Sequence, residues 1–367
     1  MMLRSSGFIR AAACGAAALL AAAFMASCSD TSTEPGPVVE KTLKIAFISA
    51  RDGNAEIYVM NADGTNQKRL THNDGADGPF CWSPDGSRIC YVSEQPGFVG
   101  IYVMNADGTN QRLLTQIRDN EETNPAWSSN GRRIAFSAYA DGSYEIEVIN
   151  ADGTNLTNLT HSPGNDFDPT WSPDCSHIAF VTEDSLLDGS LKRAVCIMNA
   201  DGTGIDTSSS VTCYPPINDG CTTFRRTVWS PVDNAVDAVA YVESWEVPPY
   251  SGICRAYYGP LTFSLDHRDF DPVWSPDGSK LAFVSNRDGT NEIYVMESDG
   301  SNQTRATFSG GGVFGAMWPA WTPDGSKIVY ASDQTGNYEI YIKDFTPKRL
   351  TDNTAVDMSP SCAMSQY

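Results

Sequence analysis

The chain has 367 residues, 41% of them apolar, with 45 acidic against 25 basic side chains and a formal net charge of −20. The apolar share supplies a core and excludes a wholly disordered chain. The charge excludes non-specific nucleic-acid binding and docking of the protein surface on anionic lipid, and suits a cationic partner, a divalent ion or plain solubility.

The first 27 residues have the layout of an export signal. Arg4 and Arg10 form a basic start, Ala11 to Met25 is short, apolar and rich in alanine, and Met25-Ala26-Ser27-Cys28 puts small residues before a cleavage point. The run is too short for a transmembrane helix. Cys28 makes this segment resemble the bacterial lipobox, whose cysteine is acylated after cleavage, with Met25 where leucine is usual. That resemblance implies a signal peptide over 1–27, a lipidated polar tether over 28–41, and an outer-membrane lipoprotein facing the periplasm or the cell surface, because Ser29 permits that destination. Simple secretion with cleavage near Ala26 is the plainer alternative.

Beyond the tether one unit recurs. WSPDG-like phrases begin at Trp82, Trp127, Trp171, Trp229, Trp274 and Trp321, spaced by 45, 44, 58, 45 and 47 residues. Each is followed by an IAF-like phrase, at Ile89, Ile134, Ile178, Val239, Leu281 and Ile328, and one more stands ahead of them all at Ile45. IYVMNADG-like and RLT-like phrases complete the unit. These segments are rich in Ile, Val, Phe and Tyr and bounded by Pro, Asp, Gly and Asn, so each reads as a short strand. S-P-D-G and N-A-D-G-T-N read as tight turns. Four strands per repeat, about seven times over, predict an all-β, seven-bladed propeller across residues 42–363, with six or eight blades as fallback and 364–367 as a tail. The IAF phrase at Ile45 has no inner strand before it. Residues 356–362 at the C-terminus, with Met358 in the tryptophan place, are expected to supply that strand and close the ring.

The combination of WSPDG, IAF, EIYVMNADG and RLT resembles the WD40-like (PD40) repeat of the TolB family of bacterial periplasmic propellers. The resemblance implies the propeller fold and an envelope setting. TolB itself has an α/β domain ahead of a propeller of six blades; only residues 29–41 precede the first strand here, so that domain is expected to be missing. Propeller peptidases carry an α/β-hydrolase domain, and no GxSxG elbow occurs in this sequence.

Chemistry-bearing motifs are sparse. His72, His161, His177 and His267 fall in different repeats, and no HExxH, Walker or dinucleotide motif is present. Asp74, Asp77, Asp166, Asp168, Asp269, Asp271, Asp352 and Asp357 lie at or just before inner strands. Asp168, Asp271 and Asp357 are the candidates for an axial mouth, where they would bind a divalent cation such as calcium or cap local turns; no other cofactor is expected. An even number of cysteines in an exported chain permits disulfides. Cys81 and Cys90 flank one hairpin turn and are expected to pair, as are Cys213 and Cys221 within one irregular insertion; Cys175, Cys196, Cys254 and Cys362 have no assigned partner. Insertions at 182–193, 212–226, 243–252 and 308–318 all belong to the end opposite the short turns. They bring Arg225, Arg226, Trp245, Tyr250, Phe314 and Trp318, residue types that anchor interfaces. The expected function is a non-enzymatic scaffold, held to the membrane through lipid on Cys28, that grips an envelope protein, peptide or glycan with the long-loop face. A propeller-type polysaccharide lyase or glycoside hydrolase working through acidic residues at the axial mouth is the alternative.

Overall fold

The computed structural model describes residues 41–118, 123–140, 142–185, 191–206, 223–246, 249–264, 266–310, 313–344 and 346–365. Cys28, Cys213 and Cys221 lie outside them. Among the described residues there are seven antiparallel sheets, six of four strands and one of three, and no helix long and apolar enough to cross a membrane. Each sheet is a blade that runs outward from an inner strand, tryptophan-bearing in all but the first, as in Asp77–Trp82, Arg88–Gln95, Phe98–Asn105 and Arg112–Ile117 of the second blade. The seven apolar clusters fill the spaces between neighbouring blades, so no blade has a core of its own.

The ring closes as expected, through the C-terminus. Asp357–Ser365 pairs with Thr42–Ser49 as the inner strand of the first blade. Its register corrects one expectation. Cys362 lies opposite Ile45 as Trp82 lies opposite Ile89, so Cys362 and not Met358 holds the tryptophan place. The Ser359-Pro360 step belongs to the strand itself and is no SPDG turn. The strand also runs to Ser365, past the expected end of the domain.

Each recurring phrase has a physical job. The inner-strand tryptophans stitch blades together. Trp82 Nε1 donates to the Ser361 carbonyl of the preceding inner strand (3.3 Å), Trp171 to Ala126 (3.1 Å), Trp274 to Val228 (3.2 Å) and Trp321 to Val273 (3.2 Å). The basic residue after SPDG lies over the next blade's indole, with Arg88 4.7 Å from Trp127 and Arg133 4.5 Å from Trp171. In the NADG turn, Asp63 accepts from Thr65 N (2.9 Å), and Gly64 sits at φ 87° where an added Cβ would lie 2.7 Å from the Leu350 carbonyl of the neighbouring blade. The RLT phrase clamps a buried glutamate. In the sixth blade Thr307 Oγ1 accepts from Ile293 N (2.8 Å) and donates to Glu292 (2.6 Å), which also pairs with Arg305 (2.7 Å).

A buried aspartate stands first or second in four of the inner strands: Asp77, Asp166, Asp269 and Asp357. Arg287 neutralises Asp269 (3.2 Å) and Arg51 neutralises Asp357 (2.8 Å). In the second blade Gln95 stands where Arg51 stands in the first, and Asp77 has no cation. Asp77 Oδ2 and Glu56 Oε2 are both buried without a hydrogen-bond partner. Burial, with Glu56 nearby, pushes the Asp77 carboxyl up to about 6. An unfolded aspartate titrates near ~4, so between about pH 4 and 6 the folded chain holds a proton that the unfolded chain has lost, and stability falls as pH rises through that window. Asp77→Asn is therefore expected to raise the melting temperature above the wild type at pH 7.5 and to lose that advantage near pH 4. Thermal unfolding across this range checks it; an advantage independent of pH would contradict it.

Candidate functional site

Six of the inner strands are bulged just before the tryptophan position, with register breaks such as Phe167/Thr170, Arg225/Val228, Phe270/Val273 and Met317/Ala320. Five bulges hold a non-glycine residue with positive φ three places before the tryptophan position: Asp168 (52°), Arg226 (52°), Asp271 (52°), Trp318 (53°) and Ser359 (50°). Pro79 and Asn124 occupy the same place in the other two blades. The seven form one ring around the axial channel. Asn124 Nδ2 donates to Asp168 Oδ1 (2.6 Å), Arg226 N donates to Asp168 Oδ2 (2.8 Å), and Arg226 Nε lies 3.4 Å from Asp271 Oδ1.

Among the described residues, two cavities open on the channel. The one at the short-turn end, about 560 Å³, is bordered by Lys41, Cys81, Pro84, Cys362 and Met364. The one at the long-loop end, about 400 Å³, is bordered by Phe80, Asn124, Arg226, Trp318 and Ser359 together with Pro79, Pro125, Pro319 and Pro360. Among the described residues Arg226 is its only charged lining residue, and its side chain is 48% exposed. Trp318 packs on Tyr338, with centroids 5.2 Å apart and planes at 58°; Phe314 stacks on the outer side of the same ring at 6.4 Å and is 60% exposed. Burial and nearby Asp333 push the Tyr338 phenol up to about 12, so the ring stays neutral. Asp333 also holds the loop beside it, accepting from Val313 N, Phe314 N and Gly315 N, all at 2.8 Å.

Several site expectations change on this geometry. Arg225 and Arg226 are not in an insertion: Thr223–Trp229 is an inner strand. Trp245 and Tyr250 are cross-strand partners in a hairpin formed by Val239–Glu246 and Pro249–Arg255, because regular pairing continues almost to the turn. The side chains of Arg225, Trp245 and Tyr250 lie outside the described residues. Asp168 and Asp271 do meet in the ring. Asp357 does not: it is fully buried under Arg51 and Asn353, five places before Cys362, and it braces the blade. Cys81 and Cys90 are directly opposed, as expected, but both are free thiols. Opposed strand residues hold their Cβ atoms ~4.5–5.5 Å apart, wider than the ~3.8 Å typical of a disulfide. Among the described residues no group of three or more His, Cys, Asp or Glu side chains is placed to share a metal ion. Sequence reasoning missed Asn124, Ser359, Tyr338 and Asp333. The first two were marked by a fixed offset from the tryptophan place; the other two carry no such signal.

Fold and repeats together define a seven-bladed β-propeller. Residues 39–124 and 118–209 match the PD40 family, described as the TolB beta propeller domain. Among solved structures, the chain is similar to TolB from Acinetobacter baumannii at 16% identity and TM-score 0.55, covering 87% of this chain and 66% of that one. It is also similar to oligogalacturonate lyase from Vibrio parahaemolyticus (16%, TM-score 0.61, 83% and 86% covered). A third likeness is the propeller domain of the Trilobed protease from Pyrococcus furiosus (12%, TM-score 0.60, 85% and 95% covered). The last is described as having an open velcro topology, whereas here the C-terminal strand closes the first blade. No curated protein matches the chain in sequence.

Proposed function

We propose that the chain is a non-enzymatic binding scaffold of the bacterial envelope that engages a protein, peptide or glycan at the long-loop mouth of its axial channel. The observation that carries this reading is the mouth itself. One exposed guanidinium and one indole braced by a second aromatic ring border a preformed cavity of about 400 Å³. Rigid aromatics with arginine are the side chains that contribute most to recognition per residue ordered. The lyase or hydrolase alternative rests only on likeness of fold, and no carboxylate borders this cavity among the described residues.

The anchor part of this reading rests on the resemblance of Met25-Ala26-Ser27-Cys28 to a lipobox. Intact-mass analysis of the membrane-extracted protein is expected to show residues 1–27 removed and acyl chains on Cys28; a soluble, unmodified chain would overturn the anchor.

For the face itself, a partner captured from envelope extract and titrated by calorimetry is expected to lose at least ~2 kcal/mol on Phe314→Ala with Trp318→Ala. Asn105→Ala with Asn150→Ala, in the short turns, should leave binding nearly unchanged. Circular dichroism controls for folding. The reverse pattern would place the site on the other face.

A further inference from the structure

The ring around the channel follows a local rule that two of its members break. A non-glycine residue at positive φ is best tolerated as asparagine or aspartate and is a genuine outlier when bulky. Asp168, Asp271 and Ser359 are small polar residues at this strained place, while Arg226 and Trp318 hold it with two of the largest side chains. Such departures from local preference concentrate where a site, not stability, dictates the residue. Both border the same cavity.

We propose that the long-loop mouth binds an apolar monocarboxylate, its carboxylate held by Arg226 and its apolar body laid against Trp318. This rests on the reading of the mouth as a binding site and names the ligand chemistry. Asp271 takes Nε of Arg226 at 3.4 Å, and among the described residues the two terminal guanidinium nitrogens make no hydrogen bond. An arginine so held presents a planar two-donor fork that matches one carboxylate. Asp168 does not compete for that fork, because its oxygens accept from Asn124 Nδ2 and from the Arg226 backbone. Neither aspartate borders the cavity, so among the described residues its wall carries a single positive charge. The rest of the described wall is mainly proline, Phe80, Ile48 and Trp318. A polyhydroxylated ligand would find few partners among these residues, since Asn124 is already engaged and Ser359 and Ser361 add the hydroxyl groups. About 400 Å³ admits one ring-bearing acid or the last residue of a peptide. Asp271 acts as a positioning residue, orienting the fork without touching the ligand.

The test uses the purified chain and two matched pairs of probes, with calorimetry and ligand-observed NMR as readouts. The pairs are N-acetyl-phenylalanine with its amide, and a hexapeptide ending in phenylalanine with a free or an amidated C-terminus. The free acids are expected to bind at least about tenfold more tightly than the amides. Arg226→Gln should abolish that preference, Arg226→Lys should restore part of it, and Trp318→Ala should weaken acid and amide alike. Asp271→Asn should lower the acid preference without changing the melting temperature. A peptide acid that binds more tightly than the small acid identifies a chain terminus as the source; equal affinities identify a small organic acid, and either result supports the class. Equal binding of acid and amide, with Trp318→Ala still weakening both, would overturn the carboxylate assignment and leave the mouth a binding site. No binding of any probe at millimolar concentration would also overturn the assignment, and the partner titration would then decide the mouth separately. The acid–amide comparison needs no variant, so it stands even where a substitution prevents folding.

Discussion

The ring is held by one repeated bond, the indole N–H of an inner-strand tryptophan donating to the inner-strand carbonyl of the blade before it. A blade is a small twisted sheet with two apolar faces, and alone it could not keep either from water. The bond fixes the distance between successive inner strands, and the apolar clusters then fill the wedge between them. Its most consequential instance is Trp82 to Ser361, which joins the second blade to a strand more than two hundred residues away in sequence. Two tryptophans depart from the pattern: Trp229 donates to Asp233 in its own turn, and Trp127 Nε1 is buried without a partner.

The same inner strands make the site. A strand that must supply a tryptophan to one neighbour and a carbonyl to the other has little freedom, and the bulge absorbs the remaining curvature. In five blades its strained residue is carried to the axis, and Pro79 and Asn124 take the same place in the other two. Seven unrelated positions thereby become neighbours, and Arg226 and Trp318, 92 positions apart, border one cavity. The outer strands contribute nothing to this chemistry directly. In three blades a buried glutamate paired with an arginine ties the outer strand in place, as at Glu292, Thr307 and Arg305.

Most of the architecture was legible because it repeats. Blade number, the closing strand and the division into a short-turn end and a long-loop end all followed from phrase spacing. The failures fall where the phrase is degenerate. In the closing strand an S-P step mimicked SPDG, and only pairing with Ile45 shows that Cys362 is the residue equivalent to Trp82. Arg226 was expected in a loop, because the bulged inner strand carries no apolar alternation to announce it. Asp357 and Asp271 look alike in sequence. Two positions of offset separate a carboxylate locked under Arg51 from one that orients Arg226. Tyr338 and Asp333, which brace Trp318 and its loop, belong to turns whose role depends on packing across the seventh blade.

Closure is the claim from which the site follows, and removal of the closing strand tests it most directly. A chain lacking residues 355–367 would expose the inner edge of the first blade and the faces packed on it. At roughly 25 cal/mol per Å² over several hundred Å², the loss is expected to be at least about 5 kcal/mol. The account predicts a variant that aggregates or unfolds without a cooperative transition under conditions where the full chain is folded. A variant with an unchanged melting temperature and unchanged solubility would contradict it.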